Sequence, residues 1–204
     1  MIQTPARLVV LVSGSGTNLQ AILDACGSEN LPARVVGVIS NKREAFALER
    51  ARTAGVPAVY LPKSKDEERQ EYDRRLAEQV AAFQPDWIIL AGWMRILSSN
   101  FLGRFPNRVI NLHPALPGTF PGTEAIRRAY EAFQRGEIER SGIMVHLVPD
   151  EGVDDGPVLG LREVEMLSGE PLEAFERRMH ATEHELLVST LRRVLLESDF
   201  IAKG

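Results

Sequence analysis

The amino-acid sequence of 204 residues has little cysteine, no excess of basic charge and no long apolar run. Its one cysteine, Cys26, excludes an internal disulfide and a metal site made of several cysteines, and it is typical of a reducing compartment. The formal net charge of -4 provides no basic field that would attract a nucleic acid. The apolar run from Leu8 to Val12 is far too short to cross a bilayer. We therefore expect a cytoplasmic protein with no nucleic-acid partner and no membrane partner.

What the chain does contain is an ordinary globular composition, with 44% hydrophobic and 25% charged residues, which predicts one domain over residues 1–204. In the first half, short β-branched apolar runs alternate with longer amphipathic segments, the pattern of βαβ units around a parallel sheet. We predict strands at 7–13, 34–40, 57–61, 86–91, 108–112, 143–148 and 157–165, and helices at 18–26, 45–54, 66–83, 123–135 and 171–196. The predicted fold is a single-domain, Rossmann-like α/β fold: an open, twisted, mostly parallel sheet with helices on both faces and a C-terminal helix.

Two segments, 113–122 and 149–156, fit neither a helix nor a strand. Both follow predicted strands and are rich in proline, glycine or aspartate, which are the residues of turns. Ligands of open α/β sheets bind in the crevice at the carboxyl ends of the strands. These two loops are therefore the first place to look for a functional site.

The segment Ser13–Asn18 follows the first predicted strand and opens a helix. Its backbone N–H groups and the helix dipole are suited to a phosphate, although a plain small-residue turn with a helix cap has the same composition. A dinucleotide site would need a third glycine in place of Leu19 and an acidic residue where Ser40 and Asn41 stand, so NAD is disfavoured. The lysine of a nucleoside-triphosphate loop is also missing.

Asn111 and His113 end a predicted strand, and their spacing of two puts both side chains on one sheet face. An amide donor beside a titratable imidazole can bind an oxyanion and move a proton. The alternative is a pair whose polar atoms are satisfied by local backbone. The segment Asp150–Asp155, which contains four carboxylates, is either a solvated turn or the source of a carboxylate that orients His113 and favours its cationic form.

The other three histidines have structural interpretations. His180, Glu183 and His184 match the spacing of inverted zinc proteases, but the chain offers no clear third ligand beyond them. We therefore favour a helix pair without a metal. His146 lies inside a predicted strand beside apolar residues and is predicted to be a core histidine with satisfied hydrogen bonds.

Five segments together resemble the formyltetrahydrofolate-dependent formyltransferases, and within that family the enzymes that act on glycinamide ribonucleotide. They are Ser13–Ile22, Ser40–Lys42, Leu90–Leu97, Asn111–Pro114 and Asp154–Pro157. The resemblance extends over essentially the whole chain, and five segments in the family's order are far more specific than any one of them. It implies an enzyme that transfers the formyl group of 10-formyltetrahydrofolate, its cosubstrate, to the amine of glycinamide ribonucleotide in de novo purine biosynthesis.

The resemblance also implies a role for each matching residue. The catalytic residues would be Asn111, His113 and Asp154. Glycinamide ribonucleotide would be bound by Gly16, Thr17, Asn18 and Glu183, and the folate by Arg69, Met94, Arg95, Ile96, Leu97 and Asn111. Asn111 and a protonated His113 would stabilise the oxyanion, while Asp154 would keep His113 cationic and pass a proton. The reaction needs no metal, and the resemblance leaves a homodimer open.

The chain departs from the family pattern at three places. Residues Ala115–Gly118 replace the usual Ser-Leu-Leu-Pro, and Glu124 stands where the family often has a histidine, so a carboxylate there would repel a phosphate. The acidic loop, Asp150–Pro157, is one residue longer than in some relatives. Asp154 therefore matches the catalytic position better than Asp155.

Four alternatives stay open. A formyltetrahydrofolate hydrolase would share the catalytic pattern but would carry a regulatory domain before the first strand. Methionyl-tRNA formyltransferase would need a further C-terminal domain and a basic surface. A non-catalytic nucleotide- or folate-binding module would not need Asn111, His113 and Asp154 to converge, and a zinc hydrolase would contain metal.

Overall fold

The computed structural model describes residues 4–201 and contains one seven-stranded sheet. The strands are β1 (Ala6–Val12), β2 (Ala33–Ser40), β3 (Ala58–Tyr60), β4 (Trp87–Leu90), β5 (Val109–His113), β6 (Arg140–Leu147) and β7 (Val158–Glu165). Their order across the sheet is β3-β2-β1-β4-β5-β6-β7. The pairs among β1 to β5 are parallel, whereas β6 is antiparallel to β5 and β7 is antiparallel to β6. The predicted open, mostly parallel sheet is confirmed.

Six helices connect or follow the strands in the described chain. They are α1 (Thr17–Gly27), α2 (Phe46–Thr53), α3 (Arg69–Ala81), α4 (Ser99–Leu102), α5 (Ala125–Gln134) and α6 (Leu172–Ile201). All were predicted except α4, whose four residues are too few for a periodic pattern. Strand β6 begins at Arg140, earlier than predicted, because its polar first residues still pair with β7.

The alternation of side chains along the strands divides the core into two layers. Leu8, Val10 and Val12 of β1 face the layer that contains residues of α1 and α6. Val9 and Leu11 face the other layer, which contains residues of α3 and α4. Helices therefore cover both faces of the sheet, as predicted.

The face under α3 and α4 is where β5 changes from apolar to polar. Val109 belongs to that core layer, and the period of two puts Asn111 and His113 on the same face. In the antiparallel register Asn111 lies opposite His146 of β6. A patch of polar side chains therefore continues the apolar face towards the edge of the sheet.

The chain leaves β1 in one direction to form β2 and β3, and returns on the other side of β1 to form β4. This is the topological switch point at which open α/β sheets bind ligands. Ser13, after β1, joins the two sides: its N–H donates to the Gly92 carbonyl at 3.0 Å, and its Oγ accepts the Met94 N–H at 3.0 Å. The hydroxyl itself donates to Asn41 Oδ1 at 2.7 Å. Over residues 4–201, no helix is long and apolar enough to span a bilayer.

Candidate active site

The three residues predicted to be catalytic come together in the structure. Asp154 Oδ1 accepts a hydrogen bond from Asn111 Nδ2 at 2.9 Å, and its Oδ2 lies 3.2 Å from His113 Nδ1. The same Oδ2 accepts the backbone N–H of Gly122 at 2.8 Å. One carboxylate thus fixes the strand residues and the loop that follows β5. Asp154 itself has a left-handed backbone with φ of 55°, which aims its side chain at the strand.

His146 is a buried histidine with partners at both ring nitrogens, as predicted, and it also belongs to this cluster. Its Nε2 lies 3.1 Å from Asn111 Nδ2 and 3.6 Å from Asp154 Oδ1, and its Nδ1 lies 2.8 Å from the Leu147 carbonyl oxygen. A carbonyl only accepts, so Nδ1 carries the hydrogen and Nε2 accepts from the amide. Both amide hydrogens of Asn111 are therefore engaged. Only its register opposite Asn111 on the neighbouring strand brings His146 to the site.

Burial and charge act in opposite directions on this cluster. Burial lowers the pKa of His113, and the nearby Asp154 carboxylate only partly offsets it. Burial by itself raises the pKa of Asp154, but the neighbouring His146 side chain and the Gly122 N–H outweigh it and hold that pKa below its usual value. At neutral pH the pair is thus a carboxylate beside a neutral imidazole. The Asp154 carboxylate raises the pKa of His113 and burial lowers it by more, so a cationic His113 during the reaction stays a prediction.

A cavity of about 390 Å³ lies beside the cluster. Its walls are the segment after β4, the end of β5, the start of α5 and the acidic loop; the lining includes Trp93, Met94, Arg95, Ile96, Leu97, Asn111, His113, Glu124, His146, Val153 and Asp154. Its size and its mixture of apolar walls with a few convergent polar groups are those of a small-molecule site. The cavity therefore unites the catalytic cluster with the predicted folate segment.

The predicted folate residues divide into two groups. Met94, Arg95, Ile96 and Leu97 all line the cavity, and Met94 and Ile96 are 58% and 46% exposed. Arg69 does not line it: its guanidinium pairs with Glu151 of the acidic loop. The segment after β4 thus forms one wall of the cavity, and Arg69 lies outside the cavity.

The residues predicted to bind glycinamide ribonucleotide lie outside the cavity, at the start of α1 and on α6. Gly16 caps α1 with φ of 74°, and a Cβ there would lie 2.5 Å from the Ala47 Cβ of α2. A side chain at this position would therefore collide with α2. Thr17 and Asn18 begin α1, whose first backbone N–H groups have no partner within the helix.

Glu183 is a buried carboxylate, with 4% of its surface exposed. Its Oε2 lies 2.6 Å from Nδ1 of His180, one turn earlier on α6. The hydrogen bond that His180 donates to this carboxylate raises the pKa of His180. Among residues 4–201, no group of three or more His, Cys, Asp or Glu side chains is close enough together to hold a metal ion.

The departures from the family pattern occupy the loop before α5. Ala115 is buried, and Gly118 has a φ of 74° that suits glycine. Glu124 is exposed, lines the cavity and caps α5 with a left-handed φ of 57°. Glu124 and Asp154 therefore line the same cavity.

Comparison with known proteins agrees with this geometry. The family model described as formyl transferase matches residues 6–191. The phosphoribosylglycinamide formyltransferase of Schizosaccharomyces pombe is 44% identical over 205 residues, which cover 95% of this chain and 99% of that protein. The Escherichia coli phosphoribosylglycinamide formyltransferase is 41% identical over 180 residues, 88% of this chain and 82% of that protein.

A solved structure, glycinamide ribonucleotide transformylase 1 from Symbiobacterium toebii, has the same fold. It superimposes with a TM-score of 0.86 at 42% identity, covering 93% of this chain and 87% of that one. The family model matches well over half of the chain, and the relatives align along nearly all of it. The chain therefore belongs to the formyl transferase family.

Proposed function

We propose that the protein transfers the formyl group of 10-formyltetrahydrofolate to the amine of glycinamide ribonucleotide, yielding formylglycinamide ribonucleotide and tetrahydrofolate in de novo purine biosynthesis. The observation that carries this proposal is the convergence of Asn111, His113 and Asp154 beside a cavity, in a chain of the formyl transferase family. The names of the relatives from S. pombe and E. coli support the choice of acceptor.

The cavity beside β5 is proposed as the folate site. Met94 and Ile96 expose apolar surface in it, which suits a flat aromatic ring, and the loop residues supply backbone donors and acceptors. Arg69 joins the site only if it exchanges its Glu151 partner for a carboxylate of the folate. The folate is a cosubstrate that reacts and leaves.

The start of α1 is proposed as the phosphate site of glycinamide ribonucleotide. Backbone N–H groups at a helix N-terminus and the positive end of the helix dipole attract an anion without any basic side chain. This suits a chain of net charge -4. Glu183 is proposed to accept hydrogen bonds from ribose hydroxyls, which a buried carboxylate does well.

The reaction begins when the neutral amine attacks the formyl carbon. A carbon–nitrogen bond forms, the formyl oxygen becomes negative, and the attacking nitrogen becomes acidic. His113 Nδ1 lies 3.2 Å from Asp154 Oδ2 and its Nε2 lies 3.5 Å from the Thr119 carbonyl oxygen, and we propose that the neutral imidazole accepts that proton. The imidazolium that results is stabilised by the Asp154 carboxylate.

Asn111 is proposed to stabilise the formyl oxygen by exchanging one hydrogen bond. Its amide donates to Asp154, a charged acceptor, and to His146, a neutral one. The bond to the neutral acceptor is the weaker of the two. We propose that the formyl oxygen replaces His146, so that Asn111 holds the oxyanion while it still holds Asp154.

The intermediate collapses when the bond between the formyl carbon and the folate nitrogen breaks. That nitrogen receives the proton held by the His113 imidazolium, directly or through water. The amine has then lost one proton, the folate nitrogen has gained one, and His113 is neutral again. All of these steps use only side chains of the cluster.

The decisive experiment measures tetrahydrofolate formation from 10-formyltetrahydrofolate with and without glycinamide ribonucleotide. We expect turnover only when the acceptor is present. Equal turnover in its absence would establish a hydrolase, and binding without turnover would establish a folate-binding module. We also propose a cytoplasmic location, since the free Cys26 suits a reducing compartment.

A further inference from the structure

Helix α3 contains a charged residue on its buried side. Tyr72, Leu76 and Val80 belong to the apolar core layer, and Asp73 is buried with them, with none of its surface exposed. A buried carboxylate is costly to desolvate unless other groups hydrogen-bond to it. The hydrogen bonds of Asp73 therefore indicate what this residue does.

Asp73 Oδ2 accepts the backbone N–H of Ser98 at 2.7 Å, in a hydrogen bond buried at both ends. Its other oxygen, Oδ1, has no hydrogen-bond partner among residues 4–201. The Ser98 N–H is therefore the only hydrogen-bond donor to this carboxylate in the described residues. Ser98 directly follows Leu97 and precedes α4. The carboxylate of α3 thus holds the chain just where the cavity wall ends.

The wall formed by Trp93–Leu97 is anchored at both ends. At its start, Met94 N–H donates to Ser13 Oγ at 3.0 Å. At its end, Ser98 N–H donates to Asp73, and Ser99 N–H donates to Glu151 Oε1 at 2.8 Å. The Glu151 link is partly exposed and belongs to the acidic loop, so water can compete for it. The Asp73 link is buried, so water cannot replace it.

We propose that Asp73 is a positioning residue for folate binding, which acts through the Ser98 N–H to fix the carboxyl end of the wall Trp93–Leu97. This inference rests on the proposed function for the identity of the ligand. It does not require Asp73 to touch the folate or the reacting atoms. Asp73 is expected to affect the folate KM selectively, because the start of α1 is anchored elsewhere.

The test compares Asp73→Leu, which removes the acceptor, with Asp73→Asn, which keeps an uncharged oxygen in its place. Val80→Ala is the matched control, since it loosens the same helix two turns away. We expect Asp73→Leu to raise the KM for 10-formyltetrahydrofolate about tenfold, as for loss of a charge-assisted hydrogen bond. Asp73→Asn should raise it about two- to threefold. The KM for glycinamide ribonucleotide should stay within about twofold for all three variants.

Hydrogen exchange provides a readout that does not depend on activity. The Ser98 amide should exchange faster in Asp73→Asn than in the unchanged protein, and faster still in Asp73→Leu, whereas the Met94 amide should keep its protection. Asp73→Asn retains the shape of the side chain, so it answers the question even if Asp73→Leu does not fold. Unchanged Ser98 protection, equal rises in both KM values, or the same selective rise in Val80→Ala would overturn the proposal. If the unchanged protein does not form tetrahydrofolate, the proposed function fails, while the exchange data still test the anchor.

Discussion

The cavity beside β5 and the start of α1 are built by different physical means. The cavity depends on side chains: one carboxylate, Asp154, joins Asn111, His113 and the loop after β5. The start of α1 depends on backbone: Gly16 turns the chain, and the first N–H groups of the helix face outwards. Removal of a charge should therefore impair catalysis at the cavity, and an added side chain should destabilise the start of α1. The following experiments test that distinction.

The largest effect is expected from Asp154→Asn. The substitution preserves shape but removes the charge that stabilises the His113 imidazolium, so kcat should fall by about a hundredfold or more. Binding of both substrates should change little, because the loss falls on the transition state. Steady-state kinetics with calorimetry of each ligand would measure both quantities.

Asp155→Asn is the matched control for Asp154→Asn. Asp155 is exposed, and its carboxylate lies against Gly152 instead of the cluster. Its kcat should stay within about twofold, as for a surface substitution. An inactive Asp155→Asn with an active Asp154→Asn would show that the carboxylates exchange places during catalysis.

The pH profile tests the protonation state of His113. Its pKa is lowered below the ordinary 6.5, so the imidazole is neutral at pH 7 and gains a proton only as the pH falls through that lowered pKa. The rate constant kcat/KM should be flat from about pH 7 to 8 and should then drop about tenfold per unit on the acid side. In Asp154→Asn the remaining activity should have its acid limb at lower pH, because the charge that raises the pKa is gone. An acid limb of kcat/KM above pH 7 would contradict the proposal that neutral His113 acts as the base.

Gly16→Ala and Gly14→Ala form a matched pair at the start of α1. At Gly16 the added methyl meets Ala47 and the φ of 74° is strained, which costs about 1–2 kcal/mol before the clash is counted. At Gly14 a Cβ meets nothing within 4 Å. Thermal denaturation should therefore show Gly16→Ala melting about 2–8 °C lower, and Gly14→Ala nearly unchanged. Equal melting temperatures would contradict both the cost of the positive φ and the cost of the contact with α2.

The smallest effect is expected at His180. Its pKa is raised by Glu183, so the pair contributes its full stability below the ordinary pKa of 6.5 and loses it as the pH rises through the raised value. The side chain is 51% exposed, so the contribution is only about 0.2–1 kcal/mol. His180→Gln should lower the melting temperature by up to about 4 °C at pH 5.5 and have no effect at pH 9. A larger effect at pH 9 would contradict an ion pair.

The sequence predicted the fold and part of the site because those features are local. A continuous apolar run reveals β1 directly, and a spacing of two places Asn111 and His113 on one face. The contact of His146 with the site was not predicted because it depends on the register of β6 against β5, which neither strand encodes alone. The direction of the pKa shift of His113 was not predictable because desolvation is a sum over everything that surrounds the ring. The short α4, whose beginning anchors the cavity wall, has no periodic pattern that could reveal it.

Because strand direction reverses at β6, the number of residues in the acidic loop decides which side chain reaches Asn111. Because β6 runs against β5, this loop leaves the sheet beside Val109, where Val148 N–H donates to the Val109 carbonyl. It must then fold back over the sheet face before Asp154 can reach Asn111, and it rejoins the sheet where Leu147 N–H donates to the Pro157 carbonyl. Both ends are pinned, so its length sets which residue arrives at the cluster. Surface loops usually tolerate insertions and deletions; here a change in length preserves the cluster only if a carboxylate still reaches Asn111 and His113.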